Sequence, residues 1–242
     1  MHRLCLTLLA VLGGCAAAPA ADDPRVLVYT NANGFVHASI PVGVAALRDL
    51  GEEHGFAVDA TDDSLAFTPG RLAAYDAVVF LSTSGDVLGP AEEAAFQAYV
   101  EGGGGYVGVH AASDTEYDWP WYGRLVGAYF EQHPPVQPAA VEVVDPGHPA
   151  TAGLPARWER EDEWYSFRDR PAGVDVLLRL DGASYEGGTM GDDHPIAWAH
   201  AVGRGRALYT AMGHTSGSYA DPLFRGHLAG AVCWAARARC AR

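Results

Sequence analysis

The sequence predicts an α/β fold built on a parallel sheet, with a β-rich insertion in its second half. Short apolar runs alternate with helical segments over about the first 130 residues, which is the pattern of βαβ units. Strand candidates with few helices between them fill most of the second half. No repeat, low-complexity tract or linker divides the 242 residues, so one large domain is expected.

The first half supplies four strand candidates and two helices. Residues 25–30 form an apolar run that ends in turn residues, as a buried parallel strand does. A helix is predicted from about Ser39, a candidate N-cap with Pro41 behind it. The other elements are strands 57–60, 77–81 and 106–109, and a helix from Gly89 to the glycines at 102–105.

The second half is predicted to be rich in strands and to close with a helix. An amphipathic helix is expected over 221–239. It would place Cys233 and Cys240 too far apart to form a disulfide unless the terminus unwinds. The strand candidates are 141–144, 174–180, 195–198 and 206–211.

Residues 1–20 are predicted to be an export signal, since Arg3 precedes a short apolar run. Cys15 ends a segment similar to a bacterial lipobox and is the candidate for lipidation. Cleavage after Ala20 is the alternative. We therefore expect an exported protein of the cell envelope or periplasm, lipid-anchored or otherwise secreted, with any membrane contact made through that anchor.

The composition limits the partners that we expect. The net charge is −14, from 30 acidic and 16 basic residues, and lysine is absent. Because phosphate contacts need clustered basic side chains, no nucleic-acid partner is predicted. Anionic substrates are disfavoured as well, whereas a neutral small-molecule carbohydrate remains open.

Three histidines follow apolar runs and are candidates for one site. Ligands of open α/β sheets bind beyond the carboxyl ends of the strands, where His37, His110 and His214 are expected. His110 occupies the position of the nucleophile in a strand-to-helix elbow and could act as a general base or a metal ligand. The alternative is a buried histidine whose ring is satisfied by the backbone. Zinc or another divalent ion is conceivable on these three residues, although no familiar ligand spacing supports it.

Glu163 is a candidate carboxylate for the same site, as catalytic acid, base or ligand. Trp164 and Tyr165 beside it could stack on a sugar, and Ser113 and Asp114 are further candidates for substrate binding. A solvated acidic turn is the alternative for this segment. The His-Pro pairs at 133 and 148 are interpreted as turns, of which the first has the better chance of touching the site.

Several segments together resemble the ThuA-like (trehalose utilisation) family. The resemblance spans about residues 25–236, which we take as one domain. It is carried by FVHASI (35–40), GGYVGVHAASD (104–114), DEWY (162–165), HPIAW (194–198), GRGRALYT (203–210) and GHT (213–215).

This resemblance implies a flavodoxin-like sheet related to the class I glutamine amidotransferases, and a role in carbohydrate catabolism. In those relatives the elbow holds a cysteine and a later His-x-Glu segment completes a triad. Here the elbow holds His110, and Ser216 stands where the glutamate would be. Glutaminase chemistry is therefore not expected. We expect a protein that acts on disaccharides or keto-glycosides; the alternative is a sugar- or partner-binding lipoprotein without catalysis.

Overall fold

The computed structural model describes residues 23–238, and its first half alternates strands with helices as expected. The strands are β1 (Arg25–Tyr29), β2 (Ala57–Thr61), β3 (Ala77–Leu81) and β4 (Gly105–Val109). The helices are α1 (Ile40–His54), α2 (Pro69–Leu72) and α3 (Pro90–Glu101).

The second half contains most of the strands, again as expected. Its helices are α4 (Pro120–Val126) and α5 (Pro222–Ala235). Its strands are β5 (Phe130–Gln132), β6 (Gln137–Val143), β7 (Arg157–Asp162), β8 (Ser166–Phe167), β9 (Asp175–Leu180), β10 (His194–Val202) and β11 (Gly205–Thr210).

Nine of these strands form one mixed sheet within the described residues, in the order β2-β1-β3-β4-β11-β10-β9-β6-β7. The pairings from β2 to β11 are parallel, and those from β11 to β7 are antiparallel. The predicted parallel sheet with flanking helices is confirmed. Among residues 23–238, most of the β-rich insertion extends that sheet, and β5 and β8 pair apart from it.

The core lies around the central parallel strands. Every residue of β3 and β4 is buried, as expected for strands covered by helices on both faces. Phe80 of β3 stacks on Phe96 of α3 with 5.1 Å between ring centroids. A side chain at Gly105 would bring its Cβ within 2.4 Å of the Ala235 carbonyl oxygen, so this glycine lets α5 approach the sheet closely.

Two details at the helix ends differ from the sequence predictions. Ser39 is the residue before α1, but its side chain makes no capping hydrogen bond; its hydroxyl donates to the Gly213 carbonyl instead. The closing helix ends at Ala235 and not at residue 239. Cys233 is disulfide-bonded. Cys240, predicted to lie too far from Cys233 for a disulfide unless the terminus unwinds, is outside the described residues.

The predicted export signal at residues 1–20, with Cys15, lies outside the described residues. From residue 23 to residue 238, no helix combines the length and the apolar run that crossing a bilayer requires.

Candidate functional site

Four side chains meet at the edge where the parallel strands end. His37 lies in the loop after β1, His110 follows β4 directly, and His214 lies four residues beyond β11. Glu163 comes from the antiparallel half of the sheet, directly after β7. One ring nitrogen of each histidine and one carboxylate oxygen of Glu163 all lie within 4.8 Å of one another. We call these four residues the histidine cluster; the structure brings together all four residues singled out from the sequence.

Three atoms of the cluster already have the spacing of ligands around one ion. Glu163 Oε2 lies 3.4 Å from His110 Nε2 and 3.1 Å from His214 Nδ1. The two nitrogens are 3.2 Å apart. Tetrahedral zinc with bonds of 2.0–2.1 Å separates its ligands by about 3.3–3.4 Å. Little movement of these side chains is therefore needed to hold such an ion.

His110 is fully buried and its ring is fixed by the backbone. Its left-handed backbone conformation (φ 51°) ends β4 sharply and turns the side chain into the cluster. Its Nδ1 lies 2.8 Å from the Ala211 carbonyl oxygen. Because a carbonyl can only accept, Nδ1 carries the hydrogen and donates it. In the neutral ring, Nε2 therefore presents its lone pair to the cluster.

His37 is buried at 4% exposure, and its Nδ1 has no hydrogen-bond partner among the described residues. Its ring centroid lies 4.8 Å from that of His110 and 5.2 Å from that of His214. Burial, together with repulsion from His110 and His214, lowers the pKa of His37 to about 3. The ring is therefore neutral near pH 7 and can donate a lone pair to a ligand.

The charges of the cluster favour a cation at its centre. Burial by itself would raise the pKa of Glu163, but hydrogen bonds with His110 and His214 outweigh this and hold the pKa well below its usual range. The hydrogen bond with Glu163 raises the pKa of His214 above its ordinary value, against the effect of burial. Glu163 Oε2 and His110 Nε2, 3.4 Å apart, attract each other only when a proton or another positive charge lies between or beside them. A proton on His214 supplies that charge, and a metal ion would supply more.

Asp162 holds the backbone that carries two members of the cluster. It is fully buried, and its Oδ1 accepts from the backbone N–H groups of Glu163 and His214, each at 3.0 Å. Its Oδ2 accepts from the backbone N–H of Gly213 at 2.9 Å. One carboxylate thus ties the end of β7 to the loop after β11. Sequence analysis missed this residue, because nothing distinguishes it from its acidic neighbours in the chain.

A buried ion pair anchors Asp162 in turn. Arg160 donates to Asp162 Oδ2 at 2.9 Å and to the hydroxyl of Ser218 at 2.9 Å. Its other terminal nitrogen lies 3.3 Å from Asp221, the residue that caps α5. The position of the cluster is therefore coupled to the start of α5 through hydrogen-bonded charges.

His133 also touches the cluster, although its sequence context indicated a turn. Its Nδ1 lies 3.1 Å from Glu163 Oε1 and 2.9 Å from the Pro134 carbonyl oxygen. The second oxygen of Glu163 is thus held by an additional ring, which leaves Oε2 directed at His110 and His214. In the sequence, only the residue type of His133 indicated that it could contact the site.

Two predicted substrate-binding residues make internal hydrogen bonds. Ser113 is fully buried, and its hydroxyl pairs with that of Tyr209 at 2.9 Å. Asp114 is partly buried, and one of its carboxylate oxygens accepts from the Tyr117 hydroxyl at 2.6 Å. Of the two, only Asp114 retains surface that a ligand could reach.

The two aromatic residues after Glu163 do not form the expected stacking surface. Trp164 is fully buried, and its indole N–H donates to the Gln137 carbonyl at 2.8 Å. Tyr165 is 3% exposed, and its ring packs on His110 with 4.3 Å between centroids. Both rings belong to the core beneath the cluster, because the segment turns inward after Glu163.

The donor set fits a divalent transition metal. Three imidazoles and a carboxylate suit zinc and its neighbours better than calcium or magnesium, which prefer oxygen ligands. The unpartnered nitrogen of His37 and the fixed lone pair of His110 are further features of a ligand set. The structure therefore offers residues that could hold such an ion, with Glu163 as the carboxylate beside the three histidines.

Two cavities of about 450 and 890 Å³ lie elsewhere on the molecule. The smaller one is bordered by α2 and α3, and the larger one by α5 and the loop around Pro149. Neither includes a residue of the histidine cluster, so the chemistry of its side chains, and not cavity size, marks the candidate site.

Comparisons with known proteins agree with the fold. The chain is similar to a protein from Bacteroides uniformis described as ThuA-like, with 29% identity and a TM-score of 0.75 over 92% of this chain and 95% of that one. A protein from Parabacteroides merdae with the same description shares 21% identity over 92% of each chain, with a TM-score of 0.75. A GMP synthase protein from Thermoplasma acidophilum shares the fold at 13% identity and a TM-score of 0.56, over 90% and 96% of the chains.

No curated protein matches the chain. The sequence model of the ThuA family, described as trehalose utilisation, matches residues 25–235. The match covers nearly all of the described residues and includes every member of the histidine cluster. The chain therefore belongs to the ThuA family.

Proposed function

We propose that this chain is an exported, carbohydrate-active protein whose histidine cluster binds a divalent transition metal and acts on a disaccharide or keto-glycoside. The observation that carries the proposal is the cluster itself, with four candidate ligand atoms within 4.8 Å of one another. The family's association with trehalose utilisation supports the substrate class.

In this proposal each residue of the cluster has a defined task. His37 supplies a neutral nitrogen through its lowered pKa, and the hydrogen bond from His110 Nδ1 to Ala211 directs Nε2 at the cluster. His214 and Glu163 complete the set. A bound divalent ion can polarise a sugar oxygen and lower the pKa of a bound water. Since Nε2 of His110 faces Glu163 and His214, we favour a ligand role for His110 over that of a free base.

Thiolate glutaminase chemistry is not available at this position. The elbow after β4 carries His110, and none of the described residues around it is a cysteine. Nucleophilic amide transfer needs a thiolate there with a base beside it. The fold alone does not imply that activity, because the same fold supports unrelated chemistries.

Export rests on the sequence of residues 1–20, with Cys15 as the candidate for lipidation. A disulfide at Cys233 supports this part of the proposal, because disulfides persist in oxidising compartments such as the periplasm. Detection of the chain in the membrane fraction of its host, and its release by Cys15→Ser, tests the anchor. A chain that stays in the cytoplasm would overturn export.

The function is tested with the purified full-length chain. Bound metal is measured by elemental analysis, and disaccharides and keto-glycosides are screened for turnover. The variants are His110→Ala and, as a control, His54→Ala at the opposite end of α1. We expect bound metal and turnover in the control, and loss of both in His110→Ala.

The other outcomes separate the alternatives. Turnover that survives His110→Ala would refute the assigned site. Sugar binding without turnover, unchanged by His110→Ala, would identify a non-catalytic binding lipoprotein in place of an enzyme. Absence of metal from wild type grown and purified with zinc, manganese or iron would remove the metal from the proposal.

A further inference from the structure

Two large apolar side chains lie exposed directly beside the cluster. Phe35 is 63% and Val36 66% exposed, and both immediately precede His37. The ring of Phe35 contacts that of His37 edge-on, with 4.8 Å between centroids and 75° between planes. We call Phe35 and Val36 the lip, because they are exposed and directly precede His37 of the cluster.

The exposure of the lip is not the result of a loose loop. The hydroxyl of Ser84 donates to the Phe35 carbonyl at 2.8 Å. The Ser84 carbonyl accepts from the backbone N–H groups of Asn33 and Gly34 at 2.8 and 3.1 Å. The loop after β1 is thus tied to the loop after β3, and Phe35 is held facing solvent.

Phe35 also stands apart from the other aromatic residues. Among residues 23–238 it is the only aromatic residue that is mainly exposed. Single exposed apolar residues need no explanation, but an exposed ring fixed beside a candidate metal site is a usual feature of ligand binding. The rings expected to stack on a sugar, Trp164 and Tyr165, are buried, whereas Phe35 is exposed and touches a member of the cluster.

We propose that the lip is a stacking platform for a sugar ring, with Phe35 under the apolar C–H face of a pyranose and the sugar oxygens directed at the cluster. The proposal deepens the proposed function and rests on it. A neutral sugar matches both surfaces: its apolar C–H face can stack on the ring of Phe35, and its hydroxyl groups can bind at the histidine cluster. A protein partner is disfavoured, because a stable protein interface buries roughly 800 Å² per partner and the two side chains of the lip offer far less.

The test uses trehalose and a ketone-bearing trehalose as probes, titrated into the zinc-loaded chain by calorimetry. Phe35→Ala removes the platform, Phe35→Leu keeps the bulk without the aromatic face, and Phe35→Trp keeps the face. Leu65→Ala is the matched control, since Leu65 is also 63% exposed but lies outside the site. Zinc affinity is measured on every sample, and the oligomeric state is followed by light scattering.

We expect Phe35→Ala and Phe35→Leu to weaken sugar binding about five- to tenfold, and Phe35→Trp and Leu65→Ala to leave it unchanged. Zinc affinity stays within twofold throughout. Wild-type affinity in Phe35→Ala would overturn the platform and leave the proposed function standing. Absence of sugar binding by wild type would overturn both. Joint loss of zinc and sugar would mean that Phe35 acts only by placing His37. A changed oligomeric state with unchanged sugar affinity would identify a protein contact in place of the platform.

Discussion

Replacing Asp162 by asparagine should loosen the cluster without touching any of its side chains. The aspartate accepts five hydrogen bonds: three from the backbone, one from Arg160 and one from Ser218. Asparagine has one acceptor oxygen and one donor group. Whichever way its amide is oriented, the donor group faces two buried N–H donors that previously had an acceptor.

The size of the effect follows from that mismatch. Each buried donor left without an acceptor costs about 1–3 kcal/mol, so Asp162→Asn should lower the free energy of unfolding by about 2–6 kcal/mol. A typical domain has about 5–15 kcal/mol in total, so the variant should fold with a clearly reduced margin. Because either orientation of the amide leaves the backbone of Glu163 and His214, or that of the adjacent Gly213, without its acceptor, zinc affinity should fall by about ten- to a hundredfold, as for other supports of metal ligands.

Urea unfolding and competition for zinc with a fluorescent chelator measure the two effects. Asp221→Asn is the matched control: it removes the other carboxylate beside Arg160, and asparagine still caps α5. We expect the control to lose at most about 1 kcal/mol, because this pair is partly exposed. If Asp162→Asn kept both wild-type stability and wild-type zinc affinity, the assignment of Asp162 as the support of the site would be wrong.

Three further predictions concern the cluster, pH and packing. His214→Ala should reduce zinc affinity at least a hundredfold, measured with the same chelator, while His54→Ala leaves it unchanged. Burial raises the pKa of Glu116 from 4.5 to about 7, so the folded state holds this proton more tightly than the unfolded chain. Stability should therefore rise by up to about 3 kcal/mol as the pH falls from 7.5 to 4.5, and Glu116→Gln should remove that gain in urea unfolding; equal pH slopes would contradict this. Gly230→Ala would place a Cβ 2.2 Å from a backbone oxygen and should cost about 1–3 kcal/mol in thermal unfolding, whereas Gly226→Ala on the same helix has open space and should not destabilise.

The three histidines could be found from the sequence because they follow strands of one parallel sheet. Parallel strands end at the same edge, so His37, His110 and His214, each just beyond such a strand, converge whatever the details of the loops. Glu163 was recognisable as a candidate, but its route to the site was not. It arrives from β7, an antiparallel strand at the far end of the sheet, which no local pattern in the chain indicates.

Strand β7 itself was not predicted, for a physical reason. Its sequence, RWERED, contains no apolar run, and hydrophobic periodicity is the main signal by which a strand is found. It is supported by charge pairing, since Arg157 lies 2.6 Å from Glu142 of β6 and 2.6 Å from Asp181 after β9. Whether such charges are solvated or paired depends on neighbours distant in the sequence. The inward turn that buries Trp164 could not be predicted either, because it also depends on residues distant in the sequence.

The elbow after β4 presents an imidazole where a related fold presents a nucleophile. In the amidotransferases that the sequence resembles, this turn presents a thiolate, which must stay free to attack. Here the same sharp turn presents His110, whose Nδ1 is bound to the Ala211 carbonyl and whose Nε2 faces Glu163. A hydrogen bond from Nδ1 fixes the ring and its tautomer in general bases and in metal ligands alike, because either role needs the lone pair of Nε2 directed at its partner. The imidazole at this turn therefore suits coordination or proton transfer, and not the attack of a thiolate.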